Sequence, residues 1–403
     1  AVFALAVFVL LTFSQAFVAP LMGEATAADA AKSGLIRSLY FPAYAAALAI
    51  VALNLGPTLQ ALLRAPLLVL LVGVVAASIT WSIAPDQTAR RVVALGLTTL
   101  AGVMLAARFS WRGLVEALAA AFAVLAVLSF LAGLFLPDIG RMENIFPGSW
   151  RGLWFEKNAL GGNMAIGFAV CAAAAVLSPR RRRLWQACAG LCLALVLLST
   201  SKTSLVCVVL AAGALSFTAL VRQGPAWGVA TTWTAAVGAG LLALGALFAA
   251  DVFFELLGKD ATLTGRTEIW TAALRQVGER PWTGFGYGAV WENEDPWGPL
   301  QWITRDAGFK AEHAHNAWLD PWLNFGLAGL AIWVLWFAET WARALIAVYR
   351  DPEGGGWLAF PFLCVYSLMS LTESVAVTYN DLRWVLFVAV AVKLAAPRAA
   401  LRR

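Results

Sequence analysis

Both histidines of this chain, His313 and His315, sit two residues apart in AEHAHNAWLD, at the end of a polar, tryptophan-rich stretch covering 251–319. Histidine is the side chain best poised to take up a proton near neutral pH. A pair at i, i+2 could also ligate a metal, but zinc asks for further His, Cys or carboxylate ligands. Only Glu312 and Asp306 stand nearby in sequence. The pattern therefore favours proton transfer, and no metal site is expected. His315 carries most of the expectation, because it precedes Asn316 and opens an apolar run whose helix start would hold its ring. His313 lies in looser chain and is expected to matter less.

Charged residues recur in four other short segments. RMENIFPGSWRGLWFEKNALGG holds Arg141, Arg151, Glu156, Lys157 and Asn158. The turn LLSTSKTSL holds Lys202. The polar stretch holds Arg266, Arg275, Arg280, Arg305 and Lys310, and SLMSLTESVAVTYNDLRW holds Glu373, Asn380, Asp381 and Arg383. If these segments converge, they form a cationic pocket beside the histidines. Arg141, Arg280 and Lys310 read equally well as side chains snorkelling to headgroups. Lys157 and Lys202 lie in tight Asn- or hydroxyl-rich turns and read as site residues. Trp270, Trp282, Trp291, Trp297, Trp302, Trp318 and Trp322 divide between an interfacial belt and flat faces for stacking sugars. GFGYG at 284–288 follows no strand and lacks a Lys-Ser/Thr, so it reads as a turn using positive φ and not as a phosphate loop.

The elements that must position these residues are membrane helices. The chain is 61% hydrophobic and 13% charged, with a mean hydropathy of +0.77, which excludes a soluble domain. A helix needs about 20 apolar residues to cross a bilayer. Ala-, Leu- and Val-rich runs occur at 2–19, 35–54, 65–83, 90–107, 112–136, 157–177, 183–200, 203–221, 229–250, 320–347, 357–374 and 381–396. They lack the alternation of barrel strands. The expected fold is an all-α integral membrane protein of about 12 transmembrane helices. It divides into helices 1–9 over 1–250, one long outward-facing loop over 251–319, and helices 10–12 with a cytoplasmic tail over 320–403.

With a cytoplasmic N-terminus, the inner connections carry Arg64, Arg108, Arg112, Arg180–Arg183, Arg222, Arg343, Arg350 and the tail Arg398, Arg402 and Arg403. That bias is the positive-inside signature, so the net charge of +6 is a topology signal and no nucleic-acid partner is expected. The first run reads as a retained helix and not as a signal peptide. Cys171, Cys188, Cys192, Cys207 and Cys364 fall in apolar runs, so no disulfide is expected.

Several segments together resemble the O-antigen ligase/polymerase superfamily, nearest to the Wzy-type exopolysaccharide polymerases of the succinoglycan kind. They are FEKNALGG at 155–162, STSKTSL at 199–205, LTGRTEIW at 263–270, PWTGFGYGAVW at 281–291, AHNAWLDPWLNFGLAGL at 314–330 and SLTESVAVTYNDLRWVLFVAV at 370–390. The resemblance implies a GT-C-like, inverting, metal-independent glycosyltransferase of the bacterial cytoplasmic membrane. It implies no cofactor. The donor would be a saccharide on a polyprenyl diphosphate presented at the outer, periplasmic face. Besides membrane lipids and a glycan acceptor, a flippase and a chain-length regulator are partners it implies. By the same resemblance His315 is the candidate base and Arg266 the diphosphate ligand. Lys202 stands where the ligases often carry Arg, giving a point charge without a bidentate fork. Lys157, Arg151, Asn158, Asn316 and Glu373 complete the expected diphosphate and glycan site.

The residue chemistry agrees with that reading. A departing diphosphate needs fixed positive charge, and the attacking hydroxyl needs a base. The preferred function is polymerisation of lipid-linked repeat units. The alternatives are ligation to a lipid A core, export of lipid-linked saccharides, and a metal-dependent oligosaccharyltransferase resting on Asp306 or on Glu292, Glu294 and Asp295. A transporter should bury charge near the midplane at broken helices, whereas here charge gathers at the rim.

Overall fold

The computed structural model describes residues 1–23, 33–143, 146–248, 265–351 and 353–396. The start of the expected loop, 251–264, and the tail Arg398, Arg402 and Arg403 lie outside the described residues. Among those residues the chain is helical, with no β-strand beyond a single Arg141–Trp150 bridge.

Every apolar run contains a helix, as its composition demands. Six helices are long and apolar enough to cross a membrane: Gly34–Leu53, Pro85–Arg108, Trp111–Phe135, Lys157–Leu177, Lys202–Val221 and Leu319–Arg350. A further pair, Leu55–Leu63 and Pro66–Trp81, is bent by 88° and together passes the same test. The chain is therefore a multi-pass membrane protein, and twelve spans stands as the sequence's expectation. The bend lies at Arg64-Ala65-Pro66. Ala65, ahead of the proline, has left the α region at φ −120° and ψ 60°, as a pre-proline residue is pushed to do.

Lys157–Leu177 is the central pillar. Its glycines allow close approach, the usual device where lipid supplies no hydrophobic drive. A Cβ at Gly161 would meet Ser204 Oγ at 2.4 Å, and one at Gly162 would meet Met369 Cε at 2.8 Å. The pillar thus draws Lys202–Val221 and Gly356–Thr372 against itself.

The two ends of the bundle differ. At one end Arg112 pairs with Glu116 at 3.1 Å, and Ser178 donates to the same carboxylate at 2.5 Å. Arg222 donates to the carbonyl of Asp351 at 3.0 Å, and Lys393 sits over Trp111 at 5.5 Å. At the other end the connections that the sequence assigns outward are stitched together. Gln15 Nε2 donates to Asn380 O at 2.8 Å, and Trp154 Nε1 to Ser14 O at 2.9 Å. Trp150 N donates to Leu198 O at 3.1 Å, Ile83 N to Phe285 O at 3.0 Å and Ala317 N to Ser370 O at 2.9 Å. Connections after odd-numbered runs meet at one end and arginine-rich ones at the other, as alternating topology requires.

Two features depart from the expectation. The polar stretch is not a plain loop, for it holds helices Arg266–Glu279 and Pro299–Ala307 around a small core of Ala273, Val277, Phe285, Ile303, Ala314 and Leu323. The run 320–347 is not one unbroken span. It breaks at Phe325 and Gly326, where Gly326 has φ 72° and ψ −174°. The GFGYG segment lies in that break, with Phe285 N donating to Leu323 O at 2.9 Å and Leu327 N to Pro281 O at 2.8 Å. Gly284, Gly286 and Gly288 all take positive φ, as the turn reading requires.

Candidate functional site

His315 opens the site from a left-handed backbone, φ 51°, uncommon for any side chain but glycine. Its Nδ1 lies 3.4 Å from Glu373 Oε2, while Glu373 Oε1 accepts from Arg266 at 3.0 Å. Three distant segments supply this trio: the first residue of helix Arg266–Glu279, the turn before Leu319, and the residue that caps the C-terminus of Gly356–Thr372. For Glu373 to hold His315 by a hydrogen bond, Nδ1 carries the proton, which leaves Nε2 as a free base. Burial by itself would raise the Glu373 carboxyl. The hydrogen bond from His315 and the Arg266 guanidinium outweigh it and hold the group down at about 2. Glu373 is thus an anion held between Arg266 and His315.

His313 packs its ring on that of His315, centroids 3.9 Å apart and planes at 51°. Burial, and then the neighbouring His315, lower its pKa to about 3, so it is neutral at working pH. The hydroxyl of Ser374 lies 3.3 Å from His313 Nδ1 and bonds the carboxylate of Asp320.

A second polar group forms where helices Lys157–Leu177 and Lys202–Val221 begin. Lys157 Nζ reaches Thr200 Oγ1 at 3.3 Å and stands 3.6 Å over the Phe146 ring. Ser149 shares Thr200 Oγ1 at 2.8 Å, and Ser201 donates to Asn158 Oδ1 at 2.9 Å. Lys202 opens its helix exposed, close enough to Lys157 for their charges to repel. Thr200 is held at φ 53°, an outlier conformation for a β-branched residue. The two groups share one end of the bundle, since Gly162 packs on Met369, one turn before Glu373. Among the described residues all five non-glycine residues at positive φ, namely Gln15, Thr200, His315, Val377 and Asn380, lie at this end. Such strain concentrates at working sites.

The remaining expected residues are placed differently. Arg151 spends its guanidinium on the carbonyls of Ile139 and Asp138, at 2.9 and 2.7 Å. Asn316 turns its oxygen back to Trp318 N and Leu319 N, at 2.9 and 3.1 Å, and starts the helix. Trp270, Trp291 and Trp322 are neither belt nor open platform. They pack on the loop's core and donate to Ala314 O, Asp320 Oδ1 and Pro281 O. Trp282 and Trp297 remain exposed. Arg275 pairs with Asp306, Glu292 with Arg91, and Asp381 with Arg383, so these charges are internally matched. Among the described residues no group of three His, Cys, Asp or Glu side chains is arranged to hold a metal.

Sequence reasoning missed Asp320, Ser374 and Thr200. The only signal for Asp320 was a carboxylate opening an apolar run, which an ordinary first-turn acid also gives. Two cavities, about 430 and 90 Å³, lie at the arginine end, lined by Pro179–Leu184 and by residues including Trp111, Arg343, Asp351 and Lys393. Neither contains a group poised for transfer chemistry, and the histidine end has the better claim.

Two comparisons with known proteins give matches. A family model described as O-antigen ligase matches residues 187–334. The chain is 28% identical over 291 residues to the exopolysaccharide production protein ExoQ of Rhizobium meliloti (strain 1021), an alignment covering 68% of this chain and 65% of that protein.

Proposed function

We propose, from the O-antigen ligase/polymerase superfamily that both matches support for this chain, that it is a membrane glycosyltransferase. It joins polyprenyl-diphosphate-linked oligosaccharide repeat units into polysaccharide at the outer face of the bacterial cytoplasmic membrane. The observation that carries this reading is the Arg266–Glu373–His315 contact at the end opposite the arginine-rich connections.

In the proposed step the acceptor hydroxyl attacks the anomeric carbon of the donor with inversion. Its oxygen forms the new C–O bond, the bond to the diphosphate breaks, and the hydroxyl proton passes to His315 Nε2 and then to water. The diphosphate leaves with its negative charge. Arg266, with Lys157 and Lys202 at the same end of the bundle, takes up that charge, as preorganised cations do where water is scarce. No nucleotide, cofactor or metal enters the balance. Ligation to a separate acceptor lipid uses the same chemistry, and the description of the matched family favours it as the second reading.

The deciding experiment incubates purified protein with a lipid-linked oligosaccharide and resolves products by length. A ladder supports polymerisation, while a single added band on a separate acceptor lipid replaces it with ligation. Absence of product with either acceptor returns the chain to transport. Activity should survive excess EDTA, and loss restored by manganese or magnesium would remove metal independence.

Lys202→Ala should lower transfer severely, on the order of 10²-fold, as for loss of a group that stabilises developing charge. Lys202→Arg should retain part of the rate. A silent Lys202→Ala at normal protein level would take Lys202 out of the site.

A further inference from the structure

The His315 ring meets Glu373 from a left-handed backbone, and the structure shows what holds it there. The His315 backbone N–H donates to His313 Nδ1 at 3.2 Å. That nitrogen must therefore be unprotonated, with the ring proton of His313 on Nε2. Ser374 Oγ approaches the same nitrogen at 3.3 Å and is itself bonded to Asp320 Oδ2. Asp320 is only 7% exposed, and two more donors converge on it: Trp291 Nε1 at 2.9 Å and Ala314 N at 3.4 Å. A buried carboxylate held by neutral donors is costly to keep. This one ties together three chain segments, the end of GFGYGAVW, the turn before His315 and the residue after Glu373.

We propose that Asp320 and Ser374 are positioning residues for the transfer. Asp320 holds Ser374 against His313, and Ser374 gives its one proton to Asp320 Oδ2 or to His313 Nδ1 in turn. When it serves Nδ1 it fixes the ring of His313, and through His313 the left-handed backbone that aims His315 at Glu373. The inference rests on the proposed role of His315 as base. Ser374 has one hydroxyl proton and two acceptors, so its place between them matters more than the charge of Asp320. An amide at 320 can still accept from Trp291 and Ala314 and can donate to Ser374, whose proton then serves His313.

The chain's two histidines make the test legible, because ¹⁵N-histidine labelling gives only two ring systems when the affinity tag contains no histidine. The 403-residue chain is reconstituted in nanodiscs as wild type, Ser374→Ala, Asp320→Ala and Asp320→Asn. In wild type one ring should read as the Nε2–H tautomer. Ser374→Ala and Asp320→Ala should shift the ring-nitrogen signals of both histidines, and Asp320→Asn should leave them in place. With a polyprenyl-diphosphate-linked oligosaccharide as donor, the first two should lose kcat by about tenfold, the rate equivalent of one hydrogen bond, at unchanged KM. Asp320→Asn should stay within about threefold of wild type.

Unchanged ring signals in Ser374→Ala would overturn the proposal, as would an Asp320→Asn as impaired as Asp320→Ala. Should Asp320→Ala fail to fold, Ser374→Ala, which removes one oxygen, still decides the matter. If wild type transfers nothing while the signals shift as expected, the proposed function fails and the positioning chain stands.

Discussion

Replacing His315 by alanine should lower the initial rate of glycosyl transfer by about 10²–10⁴-fold, the usual contribution of a positioned acid–base group. The protein should still insert and fold, because the ring is half-exposed and its hydrogen bond is to Glu373, which keeps Arg266 as a partner. His313→Ala should cost less, about tenfold, since it removes the acceptor for the His315 N–H but not the base. That is more than the isolated sequence position suggested, and the reason is the 3.2 Å bond to the His315 backbone. The measurement is the initial rate on a lipid-linked donor, normalised to monodisperse protein in detergent. A His315→Ala variant within tenfold of wild type would remove it as the base. A greater loss at His313 would make His313 the catalytic histidine.

Gly326→Ala should abolish stable protein. With φ 72° and ψ −174°, Gly326 occupies a region essentially closed to side chains, at about 1–3 kcal/mol of strain. Its Cβ would stand 2.0 Å from Trp282 O and 2.2 Å from Trp282 C. Those are backbone atoms of a segment pinned by Leu327 N to Pro281 O and by Trp81 Nε1 to Thr283 O, both 2.8 Å. Overpacking adds about 1–3 kcal/mol, so the sum is large against a marginal fold. The check is yield and thermal stability on size exclusion, with Gly190→Ala, where nothing lies within 4 Å, as the control. A Gly326→Ala protein of wild-type yield and melting temperature would mean that the helix is not broken there.

Much of the proposed site could be read residue by residue. His315, Arg266 and Glu373 lie 107 residues apart at the extremes, yet each was singled out from its own segment, His315 because it is one of two histidines in the polar stretch, and Arg266 and Glu373 because charge beside apolar runs is costly. Lys157, Asn158 and Lys202 were legible for the same cause. Arg151 and Asn316 show where that logic stops. A charged or amide side chain at a helix end serves the backbone as readily as a ligand, and only coordinates separate the two uses. Trp270, Trp291 and Trp322 were misjudged because an indole in a loop looks alike in sequence whether it faces lipid, sugar or a small local core.

By itself, then, the sequence determined that the chain is a helical membrane protein with unlike ends, one of them carrying the arginine-rich connections. Hydropathy and the position of arginine are properties of local composition, and a bilayer acts on composition. Only the tertiary structure decided the break at Phe325–Gly326, the coupling of His313 to Asp320 through Ser374, and the meeting of Arg266 with His315 across Glu373. Each depends on the angle at which two distant segments approach. Glycines admit a close neighbour at Gly161, Gly162 and Gly326, and no single segment carries the angle.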